Sequence, residues 1–154
     1  MGKNGQKKSI FKNMNFQGNE QAVVDGNGRV SLPASFRKLI PSEKEFYISP
    51  GLNNTLYLRR EVDYNAWAEK LRNLEKTTEN YNFRRKMLSN TRLVILDDKQ
   101  SRFLLPKELK EYASIDKDVV FAGNGDAIII SNAEKAAPYI LNKNDNFEGY
   151  EWML

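Results

Sequence analysis

Residues 25–33 read Asp-Gly-Asn-Gly-Arg-Val-Ser-Leu-Pro, and residues 98–106 read Asp-Lys-Gln-Ser-Arg-Phe-Leu-Leu-Pro. Both run Asp, three residues, Arg, two residues, Leu-Pro. The stretches lie 73 residues apart, and the same offset pairs Phe36 with Leu109 and Arg37 with Lys110. Further on, Leu56-Tyr57-Leu58 matches Ile128-Ile129-Ile130 at an offset of 72, a one-residue change in loop length. A repeat that keeps the order of its elements is a far stronger signal than any short motif. Period-two alternation puts Val30, Leu32, Phe103 and Leu105 on one side of the two strands, inward. It puts Arg29 and Arg102 on the other side, outward.

The pattern extends on both sides of each signature. Residues 21–24 (QAVV) are a short β-rich run, and Gly26 and Gly28 supply the positive φ of a tight hairpin into residues 29–32. Pro33 ends that strand and suits the first position of a helix, where its missing N–H is not needed. Phe36, Leu39 and Ile40 share one face of this helix, and Pro41 stops it. Residues 45–49 and 55–60 read as two strands around a Pro-Gly-Leu-Asn-Asn loop. The second copy repeats the series: strand 92–96, turn 97–101, strand 102–105, Pro106, helix 107–113, and strands 119–123 and 127–131. Gly123 to Asp126 (GNGD) reads as a hairpin turn, since the helix and lysine of a phosphate loop are missing. Between the copies, Asp63 is a plausible N-cap for a helix whose buried stripe is Tyr64, Trp67, Leu71 and Leu74. A second helix is expected over residues 79–88, with Phe83 and Met87 as an i,i+4 pair.

Each copy is about 45 residues long, too short for a core of its own. The expected fold is therefore mixed α+β, with the two halves packed on each other about a pseudo-two-fold axis. The boundaries are a flexible basic arm 1–15, half 1 over 16–62, a helical insert 63–90, half 2 over 91–134 and a C-terminal segment 135–154. The tail, with Trp152, Met153 and Leu154 beside Glu148 and Glu151, reads as a docking segment, onto its own body or a neighbour.

Composition removes whole classes of chemistry. The 154 residues contain no Cys and no His, so zinc sites, Cys or His nucleophiles, Ser-His-Asp triads and disulfides drop out. No pair of carboxylates is placed by a catalytic pattern, and neither an enzyme, a cofactor nor a metal is expected. No long apolar run appears, so the chain reads as intracellular. The formal net charge is +4. Lys3, Lys7, Lys8 and Lys12 account for all of it, because the body from Phe16 onward is formally neutral. A nucleic-acid surface would have to be a local patch.

The duplicated signature, the Phe-Gln-Gly at 16–18 and the helical insert together resemble the MraZ family, bacterial transcriptional regulators built from two fused SpoVT-AbrB-like halves. The resemblance covers roughly Phe16 to Ser131. It implies swapped-hairpin β-barrel halves, ring-shaped homo-oligomers, and binding to direct repeats in DNA upstream of a cell-division and cell-wall gene cluster that includes the regulator's own gene. It implies a cytoplasmic, nucleoid-associated protein with no membrane or small-molecule partner, and DNA contact through Arg29 and Arg102. The second copy departs from the family pattern at Ser101, where the first has Gly28, and at Lys110, where the first has Arg37.

Each basic residue also has a plainer reading. Arg29 and Arg102 could bridge to Asp25 and Asp98 at a strand end, a contact of roughly 0–1 kcal/mol when exposed. Duplication favours DNA, where the planar guanidinium clamps a phosphate or reads guanine. Arg37, Lys38, Lys107 and Lys110 follow the two prolines, as phosphate-positioning groups or as a solvated helix face. Arg84, Arg85, Lys86 and Arg92 form the densest basic cluster of the body and suit a structural or inter-subunit role. Asp25, Gly28, Pro33, Asp98, Ser101 and Pro106 are read as the structural frame. The rival function is an AbrB-like protein-interaction module, antitoxin-like, without specific DNA binding.

Overall fold

The computed structural model describes residues 15–154. The arm expected over residues 1–15 lies outside the described residues except for Asn15. The chain runs β1 (Asn19–Val23), β2 (Arg29–Ser31), α1 (Ala34–Arg37), β3 (Glu45–Pro50), β4 (Leu56–Arg60), α2 (Glu61–Arg72) and α3 (Thr78–Ser89). It continues with β5 (Arg92–Ile95), β6 (Arg102–Leu104), α4 (Lys107–Tyr112), β7 (Asp118–Gly123), β8 (Ile128–Asn132) and α5 (Ala133–Ala136). Short 3-10 turns follow at Ala137–Tyr139 and Glu151–Met153. Among the described residues, no helix is long and apolar enough to cross a membrane.

The strands form a six-stranded antiparallel sheet in the order β1-β7-β8-β4-β3-β5 and a separate two-stranded ladder, β2-β6. Exchanging each strand for its repeat mate (β1 with β5, β2 with β6, β3 with β7, β4 with β8) reverses the six-strand order into itself. The registers agree. In β4-β8, Tyr57 lies opposite Ile129, and in β2-β6, Val30 lies opposite Phe103. Both pairs are repeat mates, so each ladder is symmetric about its own centre. Half 1 lends β1 to β7, and half 2 lends β5 to β3, which binds the halves by main-chain hydrogen bonds as well as by burial.

The expected hairpin across residues 25–28 is corrected by this pairing. The turn forms, with the Asp25 N–H donating to the Arg29 carbonyl at 2.8 Å, but β1 and β2 then part into different sheets. Gly28 has a positive φ (82°), and Gly26 is absent from the positive-φ residues. Among the described residues no ladder joins β1 to β5, and a closed barrel is not found.

The core is apolar where alternation puts it. Phe36, Phe46, Phe103, Phe121, Leu56, Leu58, Ile128 and Ile130 are all fully buried. Phe103 meets Phe121 edge to face, their centroids 6.5 Å apart. The start of the described chain is laid across the β7-β8 turn, where Phe16 and Gly125 exchange both backbone hydrogen bonds. That crossing explains Gly123, since a Cβ there would sit 2.4 Å from the Gln17 nitrogen. The Gly-Asn-Gly-Asp segment is the turn of the β7-β8 hairpin, as its sequence suggests.

Three local expectations are corrected. Pro33 and Pro106 stand one residue before α1 and α4, with extended ψ values of 145° and 134°, and are not the first helical residues. Asp63 is not an N-cap. Helix α2 starts at Glu61, and Asp63 sits buried in its first turn, accepting a 2.6 Å hydrogen bond from Nε of the fully buried Arg60. Of the expected stripe only Leu71 is buried, together with Ala68, while Leu74 is exposed. Tyr64 and Trp67 are half-buried against the outer sheet face, Tyr64 stacking on Tyr47 at 4.0 Å and Trp67 receiving the Arg59 guanidinium at 4.1 Å. Helix α3 is capped by Thr77 and buries none of its residues. The tail is exposed throughout, Trp152 to 79% and Leu154 to 92%, so it does not dock on the body of its own chain.

Candidate nucleic-acid interface

The β2-β6 ladder is only three residues long on each side, yet its register fixes four outward positions. Arg29 lies opposite Leu104, and Ser31 lies opposite Arg102. The ladder is extended by the Leu32 N–H donating to the Ser101 carbonyl and the Leu105 N–H donating to the Gly28 carbonyl, each at 2.9 Å. Val30 and Phe103 at its centre, with Leu32 and Leu105 beyond, are 0–3% exposed and hold the ribbon to the core. On the outer face the two arginines therefore occupy diagonal positions, with Cα atoms roughly 7–8 Å apart by ordinary sheet geometry. Arg29 and Leu104 are exposed, and Arg102 and Ser31 are half-buried.

The two flanking turns are built differently. In the first, Oδ1 of Asp25 accepts the backbone N–H groups of Asn27 (2.8 Å) and Arg29 (3.0 Å). The Arg29 N–H bond is the main reason the Asp25 carboxyl is held below its usual range, with Arg102 and Arg29 adding Coulombic attraction. In the second turn the same role falls to Asp97, not to Asp98. The Asp97 N–H donates to the Arg102 carbonyl at 2.9 Å, and its Oδ1 accepts the N–H groups of Gln100 (2.9 Å) and Arg102 (3.2 Å). Its other oxygen accepts from Nε of Arg102 at 2.9 Å. Held by these backbone N–H groups first and by Arg102 besides, the Asp97 carboxyl is lowered to about 2. Asp98 projects outward and pairs with Lys44. The second turn is thus one residue longer than the first, and Ser101 takes the left-handed backbone (φ 52°) that Gly28 takes in copy one.

The cations on the short helices divide. Nη1 of Arg37 donates to the carbonyls of Ile40, at 3.0 Å, and Glu43, so this guanidinium is engaged in closing the end of α1. Lys38 and Lys107 are exposed and Lys110 is half-buried, with no hydrogen bond or ion pair at the ammonium of any of the three among the described residues. Arg84 and Arg85 lie over the Tyr81 ring on α3, which packs against α2 and β3 and not against the ladder. Lys44, Lys99, Lys117 and Asp97 border the ladder or its turns and are not among the site candidates read from the sequence, although Lys44 and Lys117 match at the 73-residue offset. The Asp97-Asp98 doublet is the one signal that could have exposed the second turn's extra residue.

This face offers planar donors on a rigid ribbon beside the exposed Lys99 and Lys117. That is a set able to hold phosphate oxygens or base edges. Comparison with known proteins gives the context. A family model described as "MraZ protein, putative antitoxin-like" matches residues 15–84. A protein of Syntrophomonas wolfei named "Transcriptional regulator MraZ" is 34% identical over 134 residues, covering 86% of this chain and 92% of the relative. Proteins of the same name from Natranaerobius thermophilus (34% over 134 residues, 86% and 92% covered) and Mycoplasmopsis pulmonis (33% over 115 residues, 75% and 77% covered) agree. With its duplicated signature and relatives of this similarity matched over nearly their whole length, the chain belongs to the MraZ family.

Proposed function

We propose that the chain is a sequence-specific, double-stranded-DNA-binding transcriptional regulator and not an enzyme, working in the cytoplasm at the nucleoid. The observation that carries this reading is the β2-β6 ribbon, which presents Arg29 and Arg102 at symmetric outward positions while its inner residues anchor it. Lys38, Lys107 and Lys110 add phosphate contacts from the adjoining helices. Arg37 adds its charge to this face while it clamps α1. Asp25, Gly28, Pro33, Ser101 and Pro106 shape the turns and helix starts that aim the arginines, and Asp98 sets the charge of the second turn.

The working unit is two AbrB-like halves, 16–62 and 91–134, arranged as a swapped-hairpin barrel and joined by the insert 63–90, with 1–15 and 135–154 as flanking segments. Copies of the chain assemble into a ring. A ring relates its subunits by rotation about one axis, so each offers the same face in the same sense to a duplex along the rim. The matching target is a set of direct repeats upstream of its own operon in the cell-division and cell-wall cluster. Weak single contacts are multiplied by effective concentration.

The test is a set of duplexes carrying two repeats spaced by about 10, 13 and 15 bp. Preference for the spacing near one helical turn supports the reading. Equal binding across the set, or preference for inverted repeats, contradicts it. The antitoxin-like wording of the matching family model supports the second reading, a protein-binding module. Salt separates the two, since DNA affinity falls with log[salt] at a slope of about −0.9 per phosphate neutralised.

A further inference from the structure

The two arginines are equivalent by the repeat but not by their surroundings. The Arg29 guanidinium is exposed and makes no hydrogen bond or ion pair among the described residues, and Asp25 accepts only backbone N–H groups, at Oδ1. Arg102 is held at Nε by Asp97 at 2.9 Å, the two side chains being 35% and 28% exposed. The same inequality recurs one layer out. Lys44 and Lys117 are repeat mates whose carbonyls accept the N–H groups of Leu96 and Val24. Lys44 is paired with Asp98, whereas the exposed Lys117 has no side-chain hydrogen bond or ion pair among the described residues. The cause is local. The first turn reads Asp-Gly-Asn-Gly, and the second reads Asp-Asp-Lys-Gln-Ser, with one more residue and one more carboxylate. Lys99 remains as the exposed cation of the second turn.

We infer that the two halves grip DNA unequally: Arg29, with Lys117, is the primary contact, and Asp97 and Asp98 restrain Arg102 and Lys44, so that each chain reads its element in one direction. This rests on the DNA-binding reading above and adds a polarity that the fold alone does not supply. Two equal halves about a two-fold would suit a palindrome, whereas unequal halves suit a polar element repeated head to tail. A partly exposed ion pair such as Arg102–Asp97 contributes little, and breaking it to reach a phosphate lowers affinity by up to about fivefold. An unrestrained arginine contact of about tenfold at Arg29 is then reduced to about twofold at Arg102.

The test uses the full-length protein and a fluorescent duplex of about 40 bp from the region upstream of its own gene, with a scrambled duplex as control, between about 50 and 200 mM salt. Arg29→Gln is expected to lose about tenfold in affinity and Arg102→Gln about twofold. Asp97→Asn keeps an oxygen for the backbone N–H groups but removes the charge. It is expected to tighten binding, to steepen the salt slope by about 0.9, and to make Arg102→Gln as costly as Arg29→Gln. Asp98→Asn, at an exposed site, releases Lys44 without touching the ladder and is expected to steepen the slope likewise. Equal losses for the two arginine variants overturn the inference. So does weaker binding by Asp97→Asn with an unchanged melting temperature, which would mean that Asp97 aims Arg102 toward the DNA. If the wild-type chain does not distinguish the two duplexes, the DNA-binding reading itself fails and the inference falls with it.

Discussion

Replacing Phe103 by Ala and, separately, its neighbour Leu104 by Ala tests the register on which the ribbon's polarity depends. Phe103 is fully buried, lies opposite Val30 in the ladder and packs edge to face on Phe121. Removing a buried phenyl loses its transfer free energy and leaves a cavity, together about 3–5 kcal/mol. Domains of this size shift by about 2–4 °C per kcal/mol, so the melting temperature should fall by about 6–20 °C. Against a total stability of about 5–15 kcal/mol the variant is near the edge of folding, and urea titration at low temperature is the better assay. Leu104 is 52% exposed on the outer face, and Leu104→Ala should change stability by no more than about 0.5 kcal/mol. The contrast is the informative quantity. A one-residue slip in β6 would turn Leu104 inward and Arg102 with it. Comparable losses for the two variants would refute the register, and with it the outward placement of the arginines.

Gly28→Ser should destabilise by about 1 kcal/mol, because φ is 82° there, whereas Ser101→Gly should be neutral to slightly stabilising; thermal melts that rank the two the other way would mean that the turns differ from this geometry. Arg37→Ala should cost about 1–2 kcal/mol in denaturant titrations by leaving the Ile40 and Glu43 carbonyls in the segment after α1 without their charged donor, and no loss of stability would contradict the clamp. Asp97, with its folded pKa lowered to about 2 from 3.8, favours the folded state fully above the unfolded value, and that contribution is lost as the pH falls through about 2. The stability gap between wild type and Asp97→Asn should therefore be constant near neutral pH and narrow between about pH 4 and 2; a gap that stays fixed through acid would exclude the carboxylate's role.

The repeat made much of this architecture legible, because both copies obey the same alternation. Val30, Leu32, Phe103 and Leu105 are all buried as the period of two requires, and the strands and helices follow the punctuation of Pro33, Pro41 and Pro106. Strand pairing was not legible in the same way. A turn such as Asp-Gly-Asn-Gly reports a local reversal, but whether β1 then pairs with β2 or with β7 depends on contacts about a hundred residues away in the chain. The Asp63 signal was real chemistry used differently, since a carboxylate near a helix start can serve a buried arginine as readily as a backbone N–H. At the candidate interface the repeat identified the arginines and left their partners hidden. Sliding the copies at a fixed offset equates Asp25 with Asp98, whereas hydrogen bonding equates it with Asp97. A one-residue insertion inside a turn is invisible to offset matching when both candidates are aspartates.

The central claim, that the outward face of the duplicated ladder binds duplex DNA, is tested most directly by anisotropy titration of the upstream-region duplex with wild type and the Arg29→Ala/Arg102→Ala pair at several salt concentrations. Tight, steeply salt-dependent binding is expected of the wild type, and the double variant is expected to lose at least tenfold in affinity and to show a shallower salt slope, with an unchanged melting temperature. A double variant that folds normally and binds the duplex as the wild type does would contradict the claim.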